Sequence, residues 1–521
     1  MGASPISQQS RKPNAQPAAA KPKLGLRAWM HRVLEECDRA AGGFDAEAVH
    51  DLRVALRRCR SLADGLRAID PDSSWKDMKK SGKKLFQALG ELRDMQVMQE
   101  WIEKLGDAAD PAAIKLLDHV RAREAECKQN AFKDLNQFDR KQWRQWSRTL
   151  PQRASRVRPG SVVYLHLALE KWTAAYELHK RALRTRSQAA FHELRIGIKR
   201  FRYTVENFLP QQHAKWGDDL KELQDLLGEV HDLDVLWATA LDPKVGAFPD
   251  AESRQRWHEK LAAERARRIA RYREKMVGKQ SLWRVWREEL PAGPRLRAAA
   301  LTRLKTWASY LDPDFAHSQR VAQLALLLYD GLQDAQLLRP QAARESSDLA
   351  PREVLQAAAL MQGAGKVKDA ENYQKISHRM IRSLPRPLGC SPRELELAAV
   401  VARYHRGALP RPGNKTMQPL ALPDRRLAMQ LSGILRLANA LDHPSRNHPT
   451  MRGAVEPVPR LELSAPGHSV VVRVAGYSPL DPSAERTAGA RHLLETMLRR
   501  PVIVRPQRAP AGNGRSRQPV T

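Results

Sequence analysis

Apolar residues recur along most of this chain at spacings of three and four, the period of a helix with one buried face. The segment VHDLRVALRRCR (residues 49–60) is a clear instance. At about 100° per residue, Leu52, Leu56, Cys59, Ala63 and Leu66 fall on one side, and His50, Arg53, Arg57 and Arg60 on the other. FHELRIGIKRFR (191–202) repeats the layout, with Leu194, Ile198, Phe201 and Val205 opposing His192, Arg195, Lys199 and Arg202. Arg58 and Arg200 lie on the flanks of the two stripes. Helical patterning continues to about residue 445 and then gives way to RLELS and SVVVRVAGY, two alternating runs split by APGH that predict a β-hairpin. PSAERTAGARHLLETMLRR (482–500) predicts a helix with Ser483 as its N-cap, and PVIVRP a last strand.

The repetition extends beyond one helix. HDLRVALRRCR at 50 matches HELRIGIKRFR at 192, LFQALGELRDMQVM at 85 matches LQDLLGEVHDLDVL at 223, and WRQWSRTLP at 143 matches WRVWREELP at 283. The offsets are 142, 138 and 140, in the same order. Two copies of a helical unit (about 45–151 and 187–291) joined through 152–190 satisfy this, arranged as antiparallel bundles about a pseudo-two-fold axis. Trp143, Trp146, Trp283 and Trp286 suit core anchors better than base-stacking platforms. LPAGPRLRA (290–298) reads as a linker into a different second half.

Charge narrows the partner class. Of 521 residues, 89 are Lys or Arg and 58 Asp or Glu, a net charge of +31 with a pI near 10.3. The excess is spread over both halves, which favours polyanions: nucleic acid, polyphosphate or an anionic membrane surface. The cysteines Cys37, Cys59, Cys127 and Cys390 are scattered without a CxxC pair, against a disulfide framework or zinc site and in keeping with a reducing cytoplasm. The first residues lack the apolar core of a signal peptide, and the longest apolar runs are too short to span a bilayer. Residues 1–22 and 506–521 are polar and Pro-rich, as expected of disordered tails.

A lone charge run is usually a solvated face. Here the stripe carries no acid in line for i,i+4 pairing and recurs in both copies, so a bound anion is the natural compensation for its self-repulsion. Arg offers a bidentate fork to phosphate oxygens, Lys a point charge, and His a donor that an anion helps to protonate. Lys79, Lys80, Lys83 and Lys84 precede LGELRD in the first copy, whereas the second keeps Lys221 opposite Lys83 and His231 opposite Arg93. Gly90 and Gly228 are expected at helix ends or close approaches. Asp94 and Asp232 are expected to hold a neighbouring Arg or His.

The HxxRxxxRRxR helix, its duplication and the LGxxRD helix make residues 24–290 resemble the CHAD family (conserved histidine α-helical domain). The resemblance implies paired helical bundles around a basic cavity that binds inorganic polyphosphate. It implies His50, Arg53, Arg57, Arg58 and Arg60, with His192, Arg195, Lys199, Arg200 and Arg202, as the lining, and more weakly Lys83, Arg93 and Lys221. The acidic DDLKELQD in the second copy tilts anion binding toward the first.

Residues 305–505 resemble the C-terminal, HD-like helical part of the exopolyphosphatase and guanosine pentaphosphate phosphohydrolase family. The carriers are DPDFAHSQRVAQLALLLYDGL, VLQAAALMQGAGK, YQKISHRMI, LELAAVVARYHRG and RLAMQLSGILRLANALD. An HD site needs a His-Asp pair for its metal. Gln362-Gly363 stands there, leaving His317, His405 and Asp442. The fold class expected is therefore mainly α: duplicated antiparallel bundles, then an α-helical HD-like domain (305–505) with a small α+β extension. The leading function is a non-catalytic binder of inorganic polyphosphate or another phosphate polyanion, with no cofactor and no metal, cytoplasmic and associated with polyphosphate granules. A phosphohydrolase with an altered HD centre is the alternative. Nucleic-acid binding has only charge in its favour, because no helix-turn-helix, RNP or zinc-finger signature is present.

Overall fold

The computed structural model describes residues 25–338, 350–442 and 460–507; both expected tails therefore lie almost wholly outside the described residues. The first copy of the repeat runs α1 (Leu26–Gly42), α2 (Ala46–Leu66), α3 (Ser74–Ser81), α4 (Lys83–Leu105), α5 (Pro111–Asn136) and α6 (Arg140–Ala154). The second runs α7 (Val162–Thr185), α8 (Gln188–Phe208), α9 (Pro210–Ala240), α10 (Ala251–Met276) and α11 (Leu282–Glu288). The correspondence thus reaches back one helix, with α1 matching α7. The basic helices α2 and α8 start alike: Asp45 accepts from Ala48 N at 2.7 Å and Ser187 accepts from Ala190 N at 3.2 Å. The copies diverge where Gly82 breaks the first into α3 and α4, while Pro210, in the first turn of α9, opens one uninterrupted helix.

The apolar stripes behave as their period requires. Leu52, Leu56 and Cys59 are fully buried, as are Leu194, Ile198, Phe201 and Val205. They enter one core fed by both copies, in which all four repeat tryptophans are buried, Trp143 Nε1 donating to the Met30 carbonyl at 3.1 Å. A separate small core joins the far ends of α4, α5, α9 and α10 through Met98, Trp101, Ile102, Leu233, Leu236 and Trp257. The two copies are therefore clasped twice, and the polar groups of α4 and α9 between the clasps are left facing one another.

The 290–298 stretch is not a linker. Only Glu289–Ala292 separate α11 from α12 (Gly293–Leu311), because Pro294 is accommodated in the first turn of that helix. Arg303 of α12 is buried against α7, paired with Glu170, and donates to the Ala68 carbonyl at 3.2 Å. His166 Nε2 bonds the Leu388 carbonyl at 2.8 Å, and the Tyr310 hydroxyl donates to the Arg153 carbonyl at 2.9 Å.

Beyond α12 come α13 (Phe315–Asp334), α14 (Pro351–Met361), α15 (Tyr373–Arg382), α16 (Pro392–Arg403) and α17 (Leu422–Leu441) around a core of their own. The expected hairpin forms from β1 (Leu461–Ser464) and β2 (Val470–Val474), antiparallel with Leu461 opposite Val474. α18 (Ser483–Leu498) then carries the chain to β3 (Val502–Pro506), parallel to β2. Ser483 is the first residue of α18 rather than its cap, a role taken by Pro482 without a side-chain bond. The architecture is mainly α, with duplicated helical bundles ahead of an HD-like helical module and a small α+β end.

Candidate anion-binding site

The two basic helices pack on each other. Asn207 Nδ2 donates to Ser61 Oγ at 3.0 Å, and Phe208 lies against Gly65, where any β-carbon would strike its ring. Arg58 Nη1 meets Glu206 Oε1 at 2.6 Å across the same seam. With the seam fixed, the basic stripes of α2 and α8 come together. Lys199 shows this: burial lowers its ammonium to about 8, helped by Arg195 on its own helix and by Arg53 and Arg57 from the other copy. Burial likewise lowers Arg53, with Arg57 adding to it. Among the described residues the buried Nε atoms of Arg53, Arg57 and Arg202 have no hydrogen-bond partner. Buried donors of this kind ordinarily have one.

α4 and α9 supply the floor. Burial raises the Asp94 carboxyl, although Arg53, Arg195 and Lys199 pull against it and its side chain keeps contact with solvent. Burial raises Asp232 to about 6 against the pull of Arg195, with Asp94 and Glu229 raising it further. His231 faces His192, Nδ1 to Nδ1 at 3.2 Å, and is lowered to about 4 by burial, then by Arg195, His192 and Lys199. Gly90 and Gly228 end no helix and approach nothing: each lies mid-helix, and a β-carbon there would meet open space. Each precedes its aspartate by one turn, so the open space borders Asp94 and Asp232.

Not every residue of the expected lining joins this cluster. Arg53, Arg57, Arg195, Lys199 and His192 do. Arg60 donates to the Lys79 carbonyl at 2.6 Å and stacks over Phe86, 4.9 Å from the ring centroid, so part of its capacity is structural. Arg58 is bound up with Glu206. Arg93 pairs with Glu100 at 3.2 Å. Arg200 is exposed and neighbours Lys171 rather than the cluster. His50 and Lys83 are exposed. Lys221 lines an acidic concavity with Asp218, Glu222, Asp225 and Glu229. The sequence reading gave Asp94 and Asp232 a holding role. Among the described residues neither carboxylate is in an ion pair within 4 Å, so they sit among the cations without gripping one.

In the second helical module the polar side chains near the expected HD pair are engaged with one another. A β-carbon on Gly363 would overlap the Asp312 carboxylate, so a side chain there requires Asp312 to shift. Asp312 is instead bonded by Ser318 Oγ at 2.6 Å and Lys366 Nζ at 3.1 Å. Asp442 is taken up by His317 Nδ1 at 2.6 Å and by Arg320 Nε at 2.8 Å. His405 is fully buried between the Ala402 carbonyl and the Tyr373 hydroxyl, and burial lowers it to about 3. Among the described residues no group of three His, Cys, Asp or Glu side chains is placed to hold a metal ion. These residues do not fit a hydrolytic metal centre. No described helix is long and apolar enough to cross a membrane.

Two family models match separate parts of the chain. Residues 25–241 match the family model for the CHAD domain, and residues 297–459 match that for Ppx/GppA phosphatase, domain III. Among solved structures, the crystal structure of the CHAD domain from the plant Ricinus communis is similar at 22% identity. That match covers 51% of this chain and 90% of the plant chain, with a TM-score of 0.34. No curated protein matches. The chain thus carries a first stretch similar to the CHAD domain and a later one similar to Ppx/GppA phosphatase, domain III.

Proposed function

We propose that this protein binds inorganic polyphosphate, or a closely similar phosphate polyanion, without turning it over. The observation that carries the reading is the packing of α2 on α8, which brings Arg53 and Arg57 of one copy toward Arg195 and Lys199 of the other, where burial and then these arginines lower Lys199. A chain of phosphates offers closely spaced oxygens that such a cluster can neutralise along its length. The presence of both a CHAD domain and a Ppx/GppA domain supports a polyphosphate-related role. In this reading residues 23–290 act as the binding domain. Residues 305–505 act as a non-hydrolytic companion, and the protein partitions to polyphosphate granules in the cytoplasm.

The test is a titration at matched salt with polyphosphate, duplex DNA and ATP, on the wild type and on Arg53→Glu/Arg57→Glu. Polyphosphate is expected to bind most tightly, with an affinity that falls steeply with salt. The double variant is expected to lose it with helicity unchanged, because neither residue lies on the apolar stripe. DNA of equal charge displacing polyphosphate readily would make the site a generic cation patch. Phosphate release that tracks the protein through purification would favour the phosphohydrolase reading.

A further inference from the structure

His166, on α7 of the first module, stands at the corner where the two modules meet and is fully buried. Nε2 lies 2.8 Å from the Leu388 carbonyl, and Nδ1 lies 3.3 Å from Arg303 Nη1 on α12, a helix that feeds the second core through Leu304 and Trp307. A carbonyl only accepts and a guanidinium only donates. These two partners therefore fix one state of the ring: neutral, with its proton on Nε2 and a bare Nδ1 as acceptor. The same guanidinium reaches Glu170, one turn on from His166, and from Nη2 the Ala68 carbonyl just past α2, at 3.2 Å. Leu388 packs on the first core, and Gly389, with φ +86°, lets the backbone lie against Leu296 of α12, where a β-carbon would collide.

We propose that this corner is an acid-sensitive joint, in which a proton on His166 expels the Arg303 guanidinium and loosens α12 from the first module. The second proton of the ring has one place to go, Nδ1, and that atom points at Arg303. Protonation sets donor against donor and cation against cation in a site closed to water. The acceptor within reach is Glu170, whose Oε1 is 4.0 Å from Nδ1. By turning to the imidazolium, Glu170 gives up Arg303, which keeps the Ala68 carbonyl but loses its acid while buried. The Nε2 bond to Leu388 survives this exchange, so the release falls on α12 and not on the 383–391 segment.

The charges that act on the ring are Arg303 from α12 and Glu170 from α7 itself. Lys171 of α7, Arg200 of α8 and Asp64 of α2 gather around the Glu170–Arg303 pair. The 383–391 segment brings the Leu388 carbonyl to the ring, while its Arg386 acts on Cys390. Burial lowers His166 below its ordinary value. The Leu388 carbonyl pulls the other way, Arg303 adds to the lowering, and Glu170 opposes it. The released ring thus binds protons more readily than the docked one. Docking is fully present above the unfolded value, near pH 6.5, and is lost as pH falls below it.

Hydrogen–deuterium exchange of the full chain at pH 7.5 and pH 5.5, corrected for intrinsic rates and without polyphosphate, tests this independently of the anion-binding reading. Exchange over residues 293–311 is expected to rise several-fold at pH 5.5, and by more than over 383–391. His166→Gln supplies an acceptor and an N–H donor but takes up no proton, so its α12 is expected to stay protected at both pH values. Glu170→Gln, which cannot receive the imidazolium as an ion, is expected to move the midpoint of the wild-type change to lower pH. Unchanged protection of 293–311 in the wild type overturns the joint. An equal loss in His166→Gln also overturns it, because another group then titrates. A His166→Gln chain already loose at pH 7.5 overturns it as well, because the shape of the ring and not its proton then holds α12. An unmoved midpoint in Glu170→Gln overturns the partner exchange on which the joint depends.

Discussion

Gly363 lies so close to Asp312 that a β-carbon at position 363 would overlap the Asp312 carboxylate. An acid at position 363 therefore requires Asp312 to leave its bonds with Ser318 and Lys366. Gly363→Asp is expected to destabilise the second module by about 2–4 kcal/mol, the range for steric overpacking combined with a buried, unpaired charge. Gln362→His/Gly363→Asp is expected to bind no stoichiometric divalent metal. Thermal melting and metal analysis of the purified variants check both outcomes. Stable metal binding by the double variant would show that Asp312 and Lys366 yield more readily than their contacts indicate.

Arg58 and Glu206 tie the two repeats together at 2.6 Å, with side chains 22% and 10% exposed. Burial raises the Glu206 carboxyl, but the charge and hydrogen bond of Arg58 outweigh it and leave the group below its ordinary value. The stability it contributes is thus present above the unfolded carboxyl range, near pH 4.3, and is lost as pH falls through the lower folded value. Glu206→Gln is expected to cost about 2–3 kcal/mol at pH 7, by leaving Arg58 charged and poorly compensated. Its effect should shrink toward pH 3. Urea melts at pH 7 and pH 3.5 distinguish this from a pH-independent packing loss.

Much of this fold was legible in the chain because its signals are periodic and duplicated. The stripe of Leu52, Leu56 and Cys59 was set by helical geometry, and the matching stripe of Leu194, Ile198 and Phe201 identified the second copy. Long-range placement was not legible in the same way. Nothing local in LGELRD or LGEVHD says that Gly90 and Gly228 are mid-helix beside open space, since glycine reads equally as a helix end. The pairing of Arg58 with Glu206 is a tertiary contact 148 positions apart, invisible to i,i+4 reasoning, so Arg58 was grouped with residues that converge on the anion cluster. Pro294 gave a linker signal at 290–298, but the same residue is tolerated in the first turn of α12.

Asp70 secures the boundary between the two modules. It is 1% exposed and accepts from Trp75 Nε1 at 2.8 Å and from Arg153 at 2.6 and 2.7 Å. The carbonyl of Arg153 in turn receives the Tyr310 hydroxyl of α12. Asp70→Ala strands a buried indole N–H and leaves the partly exposed Arg153 guanidinium with Asp72, at 3.3 Å, as its remaining acid. It is expected to destabilise the first module by about 3–5 kcal/mol. Tyr310→Phe removes only the link to α12 and is expected to cost about 1 kcal/mol. Limited proteolysis across residues 288–312 should accelerate in Asp70→Ala well before it does in Tyr310→Phe.

Lys199 gives the anion-binding reading a pH signature on the alkaline side. Burial, then Arg195, Arg53 and Arg57, bring its ammonium to about 8, against an ordinary 10.5. The charged form is disfavoured in the fold, so the unfolded chain binds more protons between pH 8 and 10.5, and stability contributed by this group rises across that window. Polyanion affinity should move the other way, because the cation is lost as pH passes 8. The wild type is expected to bind polyphosphate several-fold more weakly at pH 9 than at pH 7 at constant ionic strength. Lys199→Arg keeps its charge throughout and should lose less affinity across the same interval. Lys199→Met should bind at pH 7 about as weakly as the wild type at pH 9 and should melt higher than the wild type at pH 7, since it no longer buries a charge beside three arginines. Equal pH dependence in the wild type and Lys199→Arg would place the titrating group elsewhere.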